Sequence, residues 1–143
     1  MKFVFLLWIL VPIVVGVADK KRVQFKTDIF KTQFGVTRLQ HSFGKHVEGE
    51  NLVGFEARTI NYPQDRNVVL TVNYPQPGIE GKRVTAIIIY VNQTSTMGKA
   101  FMLDGGWDKI HAKFYVEANY TNLFDYDYKI YGVDDDAPNL IDE

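Results

Sequence analysis

Short segments in which apolar and polar residues alternate dominate the chain from residue 51 onward, and they limit its possible folds most strongly. A period of two is typical of strands that bury one face, because successive side chains of a strand point to opposite faces of a sheet. No long segment after residue 18 has the 3.6-residue period of an amphipathic helix. The predicted strands span residues 51–60, 67–74, 83–92, 99–104, 110–119 and 124–131, with a weaker strand near residues 32–40.

The residue types predict which faces of these strands are buried. Residues 83–92 are apolar on both faces and rich in β-branched side chains, which indicates a central buried strand. In residues 51–60, Val53, Phe55, Ala57 and Thr59 share one face. In the last two strands we expect these residues to point inward: Ile110, Ala112, Phe114, Val116, Ala118, Phe124, Tyr126, Tyr128 and Ile130.

Turn-forming residues separate the predicted strands at 62–65, 75–78, 97–98 and 104–106. Gly44 and Gly49 bracket a turn before a strand, and Gly105 and Gly106 can supply positive φ angles at a hairpin. The pattern predicts an all-β fold, an antiparallel β-sandwich or barrel of six to eight short strands.

The N-terminus has the order of a cleaved signal peptide, which would be a helix over residues 1–18. One positive charge, Lys2, precedes an apolar run, and small residues follow at Gly16 and Ala18. Cleavage after Ala18 is expected, with cleavage after Gly16 as the alternative. A membrane anchor is disfavoured because the apolar run of 15 residues contains Pro12 and is shorter than the roughly 20 residues that span a bilayer. We therefore expect a secreted, extracellular protein.

Composition narrows the classes of function for the mature residues 19–143. Without Lys2 the chain carries 15 Lys and Arg against 17 Asp and Glu, and this near-neutral balance argues against direct nucleic acid binding and against charge-driven membrane binding. The absence of cysteine excludes disulfides and thiol catalysis. We expect one domain at 43–132, preceded by a loose N-terminal arm (19–42) and followed by a disordered acidic tail (133–143).

Two N-glycosylation acceptor triplets begin at Asn92 and Asn119. Each follows a strand-like run, where a loop would expose it. The signal peptide would bring both to the glycosylation machinery, so the sequence predicts a glycoprotein.

Candidates for chemistry are weak. His41 and His46 would need a third ligand, Glu48 or Glu50, to hold a metal, and His111 is expected on a solvated strand face. No catalytic residue, metal site or cofactor is predicted from them.

Asp125 and Asp127 lie about 7 Å apart on one strand face, a separation found in inverting glycosidases. Alternation produces such pairs on any wet strand face, so we assign them no catalytic role. Trp107 follows two glycines and is expected to cap the core. The eight tyrosines are mostly core and cross-strand residues, although they could also line an apolar ligand cavity.

Four patterns in this order resemble the insect multiprotein bridging factor 2 family, which includes proteins labelled salivary secreted peptides. They lie at residues 44–53, at 84–100, at 105–114 and at 128–132, and the resemblance covers residues 43–132. The chain departs from the family's pattern at His46, where arginine is usual, and at Glu50, where aspartate is usual. It also lacks the Ser-Gln-Arg-Gly stretch that commonly follows the strand matching residues 110–116.

The resemblance implies two roles and no catalytic residues. The family is named for a transcriptional coactivator that bridges other factors, yet its members typically carry signal peptides. We expect a secreted, non-enzymatic β-domain that binds an unidentified protein in an extracellular fluid. A transcriptional coactivator and a carrier of a small apolar ligand are the alternatives.

Overall fold

A computed structural model describes residues 22–32 and 34–140 of the chain. The predicted signal-peptide helix and both candidate cleavage sites lie outside these residues. The structure has seven strands: β1 (Val23–Gln24), β2 (Lys26–Lys31), β3 (Thr37–Gly44), β4 (Asn51–Tyr74), β5 (Arg83–Gln93), β6 (Gly98–Gly105) and β7 (Ala112–Val133). The described part of the chain contains no helix, and thus none that is long and apolar enough to cross a membrane.

The long strand β7 organises a single antiparallel sheet. It pairs with β4 from Ala112 to Gly132, and its other edge pairs with β6 over its first half and with β5 over its second half. β3 pairs with β5, β2 with β3, and β1 with β6. The two ends of this path, β1 and β2, are separated in the chain by Phe25 alone, so the sheet is nearly closed into a barrel. The predicted all-β antiparallel class is confirmed.

Two predicted strand boundaries are wrong. Residues 51–60 and 67–74 form one strand, β4, and residues 112–133 form one strand, β7. The turn-forming segment at 62–65 does not reverse the chain, because it produces register shifts between Asn61 and Arg66 and between Arg66 and Val68. Such bulges bend a strand while keeping it in the sheet.

The sheet bends so that the two halves of β7 face each other, and their side chains form the core. Phe114 in its first half and Tyr128 in its second half meet edge to face, with ring centroids 5.8 Å apart. The predicted inward face of β7 is confirmed, and β5 is almost wholly buried, as its composition predicts. Ile110 is the exception at 51% exposure, because β7 begins only at Ala112.

The N-terminal residues contribute more than a loose arm with one weak strand. β2 and β3 form a hairpin, so the strand predicted near residues 32–40 begins instead at Thr37. Phe25 is buried between the rings of Phe43 and Phe114, at centroid distances of 5.2 and 5.8 Å. The segment therefore supplies part of the core.

Within the described part of the acidic tail, residues 133–140, Asp134 and Ala137 contact the body, contrary to the expected disorder. The buried guanidinium of Arg83 donates hydrogen bonds to the carbonyl oxygens of Asp134 (3.2 Å) and Ala137 (2.6 Å) and to the carboxylate of Asp108 (2.9 Å). Burial of a guanidinium requires such partners, and the tail's backbone supplies them.

The four turn glycines have φ angles of 71° at Gly44, 82° at Gly49, 71° at Gly105 and 114° at Gly106. At Gly44 a second constraint applies, since a Cβ atom would lie 2.1 Å from the carbonyl oxygen of Thr85. A side chain at position 44 would therefore displace β5 as well as strain the backbone.

Candidate functional site

The histidines do not form a metal site. His41 is fully buried on β3, where its Nδ1 lies 2.8 Å from the hydroxyl of Thr27 and its Nε2 has no partner among the described residues. Burial lowers the pKa of His41 to about 4, so the ring is neutral at physiological pH. His111 is exposed, as predicted. Among the described residues no three His, Asp or Glu side chains lie close enough to hold a metal ion.

Glu50 anchors the turn that leads into β4. Its carboxylate accepts hydrogen bonds from the amide of Val47 (3.2 Å), from the hydroxyl of buried Thr85 and from the ring of exposed His46. Burial raises the pKa of Glu50, but the hydrogen bonds from Thr85, His46 and Val47 outweigh burial and leave the pKa below its ordinary value. The candidate metal ligands His46 and Glu50 thus pair with each other in a structural turn.

The carboxylates of Asp125 and Asp127 lie on the outer face of β7. Asp125 accepts hydrogen bonds from the Thr59 hydroxyl (2.7 Å) and the Asn92 amide (3.0 Å) on the two neighbouring strands. Asp127 lies opposite Ala57 of β4 in the sheet register. The contacts of Asp125 tie three strands together.

The acceptor asparagines of both triplets lie within strands, not in the loops expected for them. Asn92 is in β5 and Asn119 is in β7, and both are half-buried. The hydroxyls of Thr94 and Thr121, the third residues of the two triplets, lie 3.0 Å apart. Use of either triplet stays a prediction.

Trp107 lies at the end of the barrel near the turn glycine Gly44 and forms an isolated bridge with Val84. Its ring is half-buried, with the ammonium of Lys45 5.7 Å from the centroid. A shallow groove of about 350 Å³ separates this ring from the tail residues Pro138 and Leu140. The indole therefore lies beside Val84 of the core, and its capping role stays a prediction.

The most unusual surface is the first half of β4, residues 51–61. Its side chains are exposed or half-buried on both faces, including Leu52 at 53% and Phe55 at 58% exposure. One edge pairs with β7, and no strand among residues 22–32 and 34–140 pairs with the other edge. A strand exposed on both faces and one edge presents apolar side chains and free backbone groups together.

Glu56 joins this exposed half to the core. Its two carboxylate oxygens accept hydrogen bonds from the hydroxyls of Tyr126 and Tyr128, each at 3.0 Å, and the two rings lie parallel with centroids 6.4 Å apart. Burial and then the neighbouring carboxylate raise the pKa of Tyr126 to about 12 and raise that of Tyr128 as well. Both hydroxyls therefore stay protonated and hold Glu56 in place.

Sequence reasoning missed this surface because it treated residues 51–60 as an ordinary half-buried strand. The face with Glu56 and Arg58 continues onto the inner face of β7, since Glu56 lies opposite Tyr128 and Arg58 opposite Tyr126. The apolar face with Phe55 and Ala57 is the outer one. The sequence signal for this exposure was the pair of charged residues, Glu56 and Arg58, on the strand face that continues the buried face of β7.

A small cleft lies where the two halves of β4 approach each other. It encloses about 210 Å³ between Gly54 and Tyr74 and is open to solvent, with Ile79, Tyr128 and Ile130 in its walls. The described interior beyond it is packed with the rings of Phe25, Phe114 and Tyr128. This volume is below the range of about 300–1,000 Å³ usual for small-molecule sites.

The fold and this surface define the protein as a small all-β domain built on an antiparallel sheet that is nearly closed into a barrel. The chain belongs to the MBF2 family: the model described as Transcription activator MBF2 matches residues 43–132. The matched region holds β4, β5, β6 and nearly all of β7, but not β1 or β2. No curated protein and no solved structure shows significant similarity to the chain.

Proposed function

We propose that the protein is a secreted, non-enzymatic binding protein that acts through protein–protein contacts in an extracellular fluid. The observation that carries the binding role is the first half of β4, which combines an unpaired edge with exposed Leu52 and Phe55. Exposed strand edges bind extended segments through main-chain hydrogen bonds, while the flanking side chains supply specificity. The signal-peptide pattern of residues 1–18 supports the extracellular location.

Expression of the full chain with a C-terminal tag in cells that secrete and glycosylate proteins tests the location. We expect the protein in the medium with Asp19 as its first residue, or Val17 if cleavage follows Gly16. A matched variant with Leu6→Arg and Leu7→Arg in the apolar run should remain inside the cell, because a signal peptide requires that run. A wild-type chain that stays in the cell with Met1 or Lys2 at its N-terminus would refute secretion.

Glycosylation is best measured as the loss of mass when the glycans are removed enzymatically, because this assay needs no substitution in the protein. Asn92→Gln would disturb the hydrogen bond to Asp125, whereas the Asn119 side chain makes no hydrogen bond within the described residues. Asn119→Gln is therefore the cleaner variant. We expect two glycans on the secreted protein, one of which is lost in this variant, and a fully unmodified secreted chain would refute this part of the proposal.

The alternative role is transcriptional coactivation, which the family description Transcription activator MBF2 favours. It requires an intracellular, nuclear population of the chain. The same expression experiment separates the two roles, since a nuclear protein with an intact N-terminus and no glycans would support coactivation and contradict secretion.

The carrier alternative is tested at the cleft beside Gly54 and Tyr74, whose walls include apolar side chains. Gly54→Leu would fill this cleft, because a Cβ atom at position 54 already lies 3.1 Å from the side chain of Ile130. Binding of an environment-sensitive apolar dye that is lost in Gly54→Leu would support a carrier. Equal dye binding by both proteins would exclude the cleft as its site.

A further inference from the structure

We propose that the free edge of β4 pairs with the same edge of a second copy of this chain, antiparallel and about a two-fold axis at Ala57. The inference rests on the proposed function only in taking this edge as the binding surface. It names the partner, a second copy, and does not depend on secretion.

The first argument is the regularity of the edge. Bulges and prolines interrupt the backbone of many natural edge strands, whereas inward-pointing charges such as Glu56 and Arg58 protect an edge only until a partner pairs with them. In β4 the register shifts lie between Leu52 and Gly54 and between Asn61 and Val68, and Pro63 falls inside the second of these regions. Residues 54–61 keep an unbroken register with β7, so their free edge presents a regular row of backbone donors and acceptors.

The second argument is charge complementarity. Antiparallel pairing about Ala57 places Glu56 of each copy opposite Arg58 of the other, on the same face of the joined sheet. Directly opposite side chains of an antiparallel pair lie about 5 Å apart, which suits opposite charges and disfavours like charges. Arg58 has no hydrogen bond or ion pair within the described residues, whereas Glu56 is already held by Tyr126 and Tyr128. The fixed carboxylate is thus ready for a partner's arginine.

The third argument is the fit of the outer face. In the same register Phe55 lies opposite Thr59 of the other copy, and Ala57 lies opposite itself. The small side chain at the axis lets the two strands approach, while each exposed phenyl ring covers a threonine. Because both copies use the same residues about a two-fold axis, the pairing is isologous and closes at two copies without forming a fibre.

The absence of cysteine from the whole chain makes cross-linking a direct test, since any introduced thiol is unique. In Ala57→Cys the two thiols meet at the axis, within the range that an intermolecular disulfide needs. We expect purified Ala57→Cys to cross-link under mild oxidation at least about tenfold faster than Thr71→Cys, an exposed position on the other half of β4.

The register is tested by mixing. Phe55→Cys and Thr59→Cys should each cross-link slowly alone and rapidly when mixed, because position 55 faces position 59 only across the axis. Equal rates for Ala57→Cys and Thr71→Cys would overturn the dimer. Rapid cross-linking of Phe55→Cys with itself would overturn the register.

Sedimentation of the protein without introduced cysteine is the independent measurement. A contact of eight residues is at the small end of interfaces, so we expect a dimer that dissociates on dilution. Arg58→Glu and Glu56→Arg should each raise the dissociation constant at least about tenfold, and an equimolar mixture of the two should restore dimers, since every pair is again opposite in charge. Near-UV circular dichroism checks that Glu56→Arg is folded.

A wild-type chain that is monomeric up to about 1 mM would overturn the proposal. A secreted monomer would reject the dimer and leave the proposed function standing. A dimer retained in the nucleus would support the pairing of two β4 edges and refute the proposed secreted function.

Discussion

The two halves of β4 belong to one strand and pair with one partner, yet they occupy opposite environments. In the second half, Val68, Val72 and Tyr74 are buried against the core. In the first half, residues 51–61, no side chain is fully buried. Pairing with β7 is common to both, so the backbone ladder does not distinguish them. The difference teaches that stability is concentrated where the folded sheet covers itself, which leaves the first half free for contacts with another molecule.

The largest expected effect compares two phenylalanines, one from each environment. Phe114 lies opposite Val72 and is fully buried, whereas Phe55 is exposed. Phe114→Ala should lower the free energy of unfolding by about 3–5 kcal/mol, because it removes a packed ring and leaves a cavity. Phe55→Ala should change it by less than about 0.5 kcal/mol. Chemical denaturation of both variants measures the contrast, and similar losses would mean that the first half of β4 is also part of the stabilising core.

The second prediction is that buried His41 makes the folded protein less stable at acid pH. The pKa of His41 is lowered by burial to about 4, against an unfolded value of 6.5. The unfolded chain therefore binds a proton between these pH values while the folded chain does not, so stability falls as the pH drops from 6.5 to 4. The expected loss from this residue is ~3 kcal/mol.

Denaturation of wild type and His41→Met across this pH window tests the assignment. The variant should lose this part of the acid dependence, while His111→Gln, at an exposed position, should retain it. An unchanged acid dependence in His41→Met would show that other groups control acid unfolding.

A smaller effect is expected where the exposed half begins. Glu50→Ala should destabilise the fold by about 1–3 kcal/mol, because the buried Thr85 hydroxyl loses its acceptor. Glu48→Ala, two residues earlier and exposed, is the matched control and should stay within about 0.5 kcal/mol of wild type. If the two variants behaved alike, the turn would not depend on the Glu50 carboxylate.

The smallest effect on stability concerns the link between the two environments. Glu56→Gln removes the negative charge beside Tyr126, so the pKa of this tyrosine should fall from about 12 while remaining above its ordinary value of 10, since burial persists. Titration of the labelled tyrosine rings by NMR follows this directly. No movement of the Tyr126 titration would contradict the contact with Glu56.

The class of fold could be predicted from the sequence because alternation is a local property. β5 and the buried face of β7 follow directly from the order of apolar residues. The continuity of β4 and β7 could not be predicted, because a proline-containing segment such as 62–65 encodes a bulge and a turn with the same residue types. The exposed half of β4 was missed for a related reason: exposure of Phe55 depends on whether another layer covers it, which alternation does not encode.

The sequence by itself determined the antiparallel all-β class, the membership of the MBF2 family over residues 43–132 and the lack of cysteine chemistry. Its local patterns sufficed because strand periodicity and family motifs are read from neighbouring residues. The tertiary structure alone decided that β4 is one strand with a covered and an uncovered half, that Phe25 and Arg83 bind distant segments to the body, and that Glu56 holds two tyrosines. These features depend on residues as many as 89 positions apart, as Phe25 and Phe114 are, and such contacts form only when the sheet folds back on itself.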